Sequence, residues 1–239
     1  MFKLLKNILW VLLISFLLLF IPRLAGMIAS SLNYQVIDTD GAFAWVSIHH
    51  ISQALIFVIL MILIKKIKSI EFGFNWGNRE AGKQYLISFF KYFSMYTVGA
   101  FITVVVTKSF QPFTFPLSTV NILGQLGFQL LLSGPSEELI FRSFAITMLA
   151  LVIEGRVFKG KVSLSNIMSA VIFGLAHVGF TLRPFELRYS VFQVVYAIIL
   201  GLFYGECYEK SESVIYPMIM HSFTNVLMVG LTIVLSFIL

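Results

Sequence analysis

The sequence predicts an all-α protein, a polytopic transmembrane helix bundle of about seven spans. Three observations carry this. Of the 239 residues, 59% are hydrophobic and 12% charged, where soluble domains carry roughly 25% charged residues. The mean hydropathy is +0.93. Apolar runs of the length that lets a helix satisfy its own backbone inside hydrocarbon recur along the chain, parted by charged or Pro- and Gly-containing breaks.

The runs fall at about 4–22, 42–64, 85–107, 119–153, 163–181, 188–207 and 213–238. The first follows Lys3 and Lys6 and reads as a retained signal-anchor, not a cleaved leader, because the later loop charges fit a first span that stays. Between the second and third lies KKIKSIEFGFNWGNREAGK (65–83), a basic cytoplasmic loop with aromatic residues resting at the interface. The fourth run, about 35 residues, is too long for a perpendicular span, and SGPSEE interrupts it. A kink or break is expected near Gly134-Pro135, with Ser133 or Ser136 capping a restarted helix whose partial positive charge holds Glu137 and Glu138 ionised. No repeat, low-complexity tract or soluble appendage is visible. Residues 1–239 read as one membrane-embedded domain with a motif-bearing core at about 119–238.

The basic residues spread over short loops, so they signal topology and not a nucleic-acid partner. Lys3, Lys6, Lys65, Lys66, Lys68, Arg79, Lys83, Arg156, Lys159, Lys161 and Lys210 fall on one side; Arg23, Lys108, Arg183 and Arg188 fall on the other. The positive-inside rule then puts the N-terminus in the cytoplasm. The single cysteine, Cys207, excludes an internal disulfide framework and a multi-cysteine metal cluster and reads as a small buried side chain.

Ionisable groups within spans are expensive and are usually paired, inward-facing and functional. Glu137, Glu138 and Arg142 lie in the fourth run, His177 in the fifth, and His221 with Asn225 in the seventh. Glu138 and Arg142 are four apart and share a helix face, as an ion pair requires, while Glu137 points about 100° away. Arg142 is therefore expected to fix Glu138, leaving Glu137 to face a cavity as base or ligand. Phe173, one turn before His177, would shield its imidazole, and His221 and Asn225 form a polar strip on one face. A carboxylate, two imidazoles and an amide can activate water and stabilise an oxyanion. His49 and His50 are assigned interfacial or packing roles, and Ser133 and Ser136 capping roles. Neither an HExxH nor a GxGD motif is present.

The signatures EExxxR (Glu137, Glu138, Arg142), FxxxH (Phe173, His177) and HxxxN (His221, Asn225), in that order on separate hydrophobic segments, resemble the CPBP family of CAAX proteases and bacteriocin-processing enzymes, also called Abi. The resemblance spans roughly residues 120–230. It implies an intramembrane endopeptidase in which Glu137 is the general base, His177 helps hold the attacking water, His221 and Asn225 line the oxyanion site, and Glu138 and Arg142 support the geometry. In a metalloprotease version Glu137, His177 and His221 would ligate a divalent metal such as zinc, and the spacing fits either version. Where the family often has Gly after the motif arginine, this chain has Ser143.

The compact chain is closer to the bacterial branch, which implies a plasma-membrane protein acting in peptide, bacteriocin or pheromone maturation or in self-immunity. Its partners would be membrane lipid and a membrane-associated peptide or protein substrate. Two other classes use the same residues: a non-enzymatic immunity or scaffold protein, and a small proton-coupled transporter, which ranks last because no paired halves are visible.

Overall fold

A computed structural model describes residues 2–182 and 184–239. Seven helical rods dominate it: α1 (Phe2–Ser30), α2 (Ala44–Lys68), α3 (Arg79–Val106), a composite α4, α5 (Leu164–Ala176), α6 (Val191–Ser211) and α7 (Ile215–Ile238). Five of these, α1, α2, α3, α6 and α7, are long and apolar enough to cross a membrane. Two small antiparallel hairpins, β1 (Arg156–Val157) with β2 (Val162–Ser163) and β3 (Gly179–Leu182) with β4 (Phe185–Arg188), are the strands among the described residues. The protein is an all-α polytopic membrane bundle.

The fourth rod runs as Thr119–Phe128, Gln129–Ser133, Gly134–Glu138, Leu139–Ile146 and Thr147–Ala150, with the second and fourth pieces π-helical. The α-helical ladder is thus interrupted on both sides of Gly134-Pro135, as a proline with no N–H requires. The interruption is not a restart. Ser133 and Gly134 keep right-handed helical dihedrals and no serine side chain caps the segment, which corrects the capping roles expected for Ser133 and Ser136. Leu130, five residues before Pro135 and so the π-helical acceptor that the proline cannot serve, instead accepts from Ser222 Oγ at 2.8 Å.

The fifth run differs most from expectation. Its helix stops at Ala176 after 13 residues, about 20 Å, and the chain turns into the β3–β4 hairpin instead of continuing to residue 181. Gly179, Thr181 and Pro184 disfavour further helix. The first run, in contrast, extends through Pro22 and Arg23 to Ser30. Arg23 therefore lies within a helix, its guanidinium 3.5 Å from the centre of the Phe180 ring. Arg183, counted above as a topology charge, lies outside the described residues.

The core forms around α4, whose residues Leu139–Ile146 are all buried. Ile14 and Leu18 of α1, Phe57 and Met61 of α2, and Ile172 and Phe173 of α5 pack against it. The outward faces of the rods carry exposed Leu, Ile and Phe, as a lipid solvent demands.

The 65–83 segment does more than rest at an interface: it straps the core. Ser143 Oγ donates to the Phe72 carbonyl, so the serine that departs from the family glycine ties α4 to this loop. Val214 N donates to Gly73 O at 2.9 Å and Asn78 N to Ser211 O at 2.7 Å. Gly77, at φ +43°, lies so close to the Ser211 carbonyl that a Cβ would fall 2.0 Å from it, so only glycine fits.

Candidate active site

The geometry starts from the i, i+4 relation in α4. Arg142 Nε lies 3.0 Å from Glu138 Oε2, both side chains being almost completely buried. The guanidinium carbon sits 4.6 Å from the Phe173 ring centre and 5.5 Å from that of Tyr204, which covers the cation from α5 and α6. Its two terminal nitrogens have no hydrogen-bond partner among the described residues. The expected ion pair is present, held by aromatic faces.

The other oxygen of Glu138 reaches a different helix. Glu138 Oε1 accepts from His221 Nδ1 at 2.7 Å. That bond orients the imidazole so that Nε2 faces Glu137 Oε2 at 3.7 Å. Tyr204 stacks on the His221 ring, centroids 5.1 Å apart at 27°, and its hydroxyl bonds Thr224 Oγ1 at 2.7 Å. Asn225, one turn on, donates from Nδ2 to Ser133 Oγ at 3.0 Å. One face of α7 thus grips α4 through His221, Ser222 and Asn225.

Glu137 is turned away from the Arg142 pair, as its helical position dictates. Its side chain retains 18% exposure, against none for Glu138. His177 sits at the C-terminal end of α5, where Nδ1–H donates to the Phe173 carbonyl at 2.8 Å, leaving Nε2 free as an acceptor. The Phe173 ring meets His177 edge-on at 4.9 Å and His221 edge-on at 6.1 Å, so it touches both imidazoles. The shortened fifth helix therefore puts His177 at a helix end, not in mid-span.

His50 corrects the packing role assigned to it from sequence. Its Nε2 lies 3.9 Å from Glu137 Oε1, and its Nδ1 contacts Ser136 Oγ at 2.7 Å and Gln53 Nε2 at 3.2 Å. Gln53, an amide three residues on, was the available signal. His49 has no such contact and stacks on Trp45, a packing position as expected. Cys207 is buried.

Among the described residues no group of three or more His, Cys, Asp or Glu side chains converges as a metal-ligand set. The trio Glu137, His177 and His221 does not fit a bound ion as arranged, and the chemistry below uses the chain's own groups. A separate open groove of about 640 Å³ between α3 and α6 is lined by aromatic and aliphatic side chains, including Phe89, Tyr196, Leu200 and Met220. Glu137 is not part of it.

The three motifs, the shared polar centre and the membrane bundle coincide with one family. Residues 119–227 match the model of the type II CAAX prenyl endopeptidase Rce1-like proteins. Over this stretch the chain is similar to the CAAX protease family. The matched stretch is just under half of the chain and contains all seven motif residues from Glu137 to Asn225, whereas His50 and the first three helices lie outside it. No curated relative and no solved structure matches the chain. The family carries intramembrane endopeptidase activity of the CAAX type.

Proposed function

We propose that this chain is an intramembrane endopeptidase in which Glu137 activates the water that attacks a peptide bond of a membrane-associated substrate. The observation that carries the reading is the pairing of roles between adjacent carboxylates. Glu138 is consumed by Arg142 and His221, while Glu137 keeps both oxygens directed at imidazole nitrogens and free of any cation closer than 3.7 Å.

In this mechanism Glu137 takes one proton from water as the oxygen attacks the carbonyl carbon. His177, whose Nδ1–H is engaged by Phe173, offers its Nε2 lone pair to the same water. The developing oxyanion is met by the second N–H of Asn225, whose first is engaged by Ser133, beside the His221 ring that Glu138 fixes. Glu137 then returns its proton to the leaving nitrogen as the C–N bond breaks, so no proton is gained or lost. Glu138 and Arg142 orient His221 and do not react.

We further infer a bacterial plasma-membrane enzyme with its N-terminus in the cytoplasm, from the eleven basic residues on one side of the spans against Lys108, Arg183 and Arg188 on the other, Arg23 lying within α1. Its substrate class would be a peptide undergoing maturation or involved in self-immunity. The test is cleavage of an internally quenched, farnesylated Cys-aliphatic-aliphatic-X peptide and of a membrane-embedded peptide reporter by purified protein in liposomes. Activity lost in Glu137→Gln with unchanged folding supports the reading. Full protection of cells by the same variant would instead mark the cluster as a binding scaffold.

A further inference from the structure

We propose that His50 is a positioning residue for Glu137, contributed by α2 from outside the stretch that matches the family. This rests on the general-base reading of Glu137. The ring is buried and edge-on to Phe128, centroids 5.0 Å apart at 73°. Ser136 Oγ lies 2.7 Å from His50 Nδ1, and Gln53 Nε2 lies 3.2 Å from the same nitrogen, so this edge of the ring is tied to α4 and to its own helix. That leaves the Nε2 edge turned to Glu137.

Glu137 is then flanked on both oxygens. His221 Nε2 faces Oε2 at 3.7 Å and His50 Nε2 faces Oε1 at 3.9 Å, just beyond a direct hydrogen bond. Ser136 is the residue immediately before Glu137, so the same imidazole grips the α4 backbone turn through Nδ1 and the carboxylate through Nε2. Removing the Nε2 edge frees the base to swing, and a misplacement of about 1 Å costs up to a hundredfold in rate.

Two isosteric replacements separate the edges. His50→Asn keeps a polar group near the Nδ1 position for Ser136 but has nothing at Nε2, whereas His50→Gln puts an amide nitrogen near Nε2. In liposomes with the farnesylated peptide, His50→Asn is expected to lower kcat about tenfold to a hundredfold at unchanged KM, with His50→Gln retaining most of it. Equal activity of the Asn variant and the parent overturns the proposal, and so does equal loss in the two variants, which would assign His50 to packing. Glu137→Gln in the same assay tests the general-base reading separately, because full activity there ends that reading whatever His50 does. A double-mutant cycle of His50→Asn and Glu137→Gln on thermal unfolding in detergent needs no substrate. Non-additive midpoints support the contact, and strictly additive ones overturn it.

Discussion

Gly134 of α4 lies so close to Ser222 of α7 that a Cβ at Gly134 would fall 2.7 Å from the Ser222 nitrogen and 3.1 Å from the His221 carbonyl carbon. The two helices touch backbone to backbone at the level of the polar centre. Gly134→Ala must push α7 outward, and His221 with it. It is expected to destabilise by about 1–3 kcal/mol and to lower cleavage at least tenfold. Thermal unfolding in detergent and the liposome assay read the two effects; a fully active variant would contradict the close contact.

Arg142 makes a second prediction. Its guanidinium is covered by Phe173 and Tyr204 and countered by Glu138 alone. Arg142→Ala leaves Glu138 buried with only His221, and the expected cost is about 3–5 kcal/mol. The unfolding midpoint should fall steeply, and the farnesylated peptide should remain uncut.

Asp38, in the segment joining α1 and α2, gives a pH prediction. Burial pushes its carboxyl up, but the N–H groups of Ala44, Phe43, Ala42 and Gly41 outweigh this and hold it below its ordinary value of 3.8. Three of these bonds measure 2.6, 2.7 and 2.8 Å, to Ala44, Phe43 and Ala42. A depressed folded-state pKa means that the contribution is complete above the unfolded value and is lost as pH falls through the folded one. Asp38→Asn should remove about 1 kcal/mol at neutral pH. It should also flatten the acid limb of the stability profile measured by thermal unfolding.

Chelators provide a fourth test. Because no ligand set converges among the described residues, cleavage should survive extensive dialysis against EDTA or phenanthroline at the parental rate. Loss of activity restored by zinc would require Glu137, His177 and His221 to close on an ion.

Much of this site could be read along the chain because helical spacing is local. The Glu138–Arg142 pair follows from a separation of four, and the outward turn of Glu137 from a separation of one. The Phe173 contact with His177 follows the same rule. What escaped depends on which helices neighbour each other. His50 reaches Ser136 and Glu137 across 86 and 87 positions of sequence, and no periodicity within α2 announces that its face meets α4. Hydropathy could not shorten the fifth run either, since GFTL is as apolar as a helix end. The π-helical turns flanking Pro135 are also invisible to composition: they answer a missing donor by widening the coil instead of ending it.

Because Glu138 and Arg142 belong to one helix, α4 carries its own counter-ion into the bilayer. The rings and imidazole that later enclose this pair lie downstream in Phe173, Tyr204 and His221, segments synthesised after α4. Until they arrive, the dipolar couple can travel through the insertion machinery nearly neutral. The polar centre is therefore completed only when α7 enters, and a chain stalled before it holds both carboxylates but lacks His221 and Asn225.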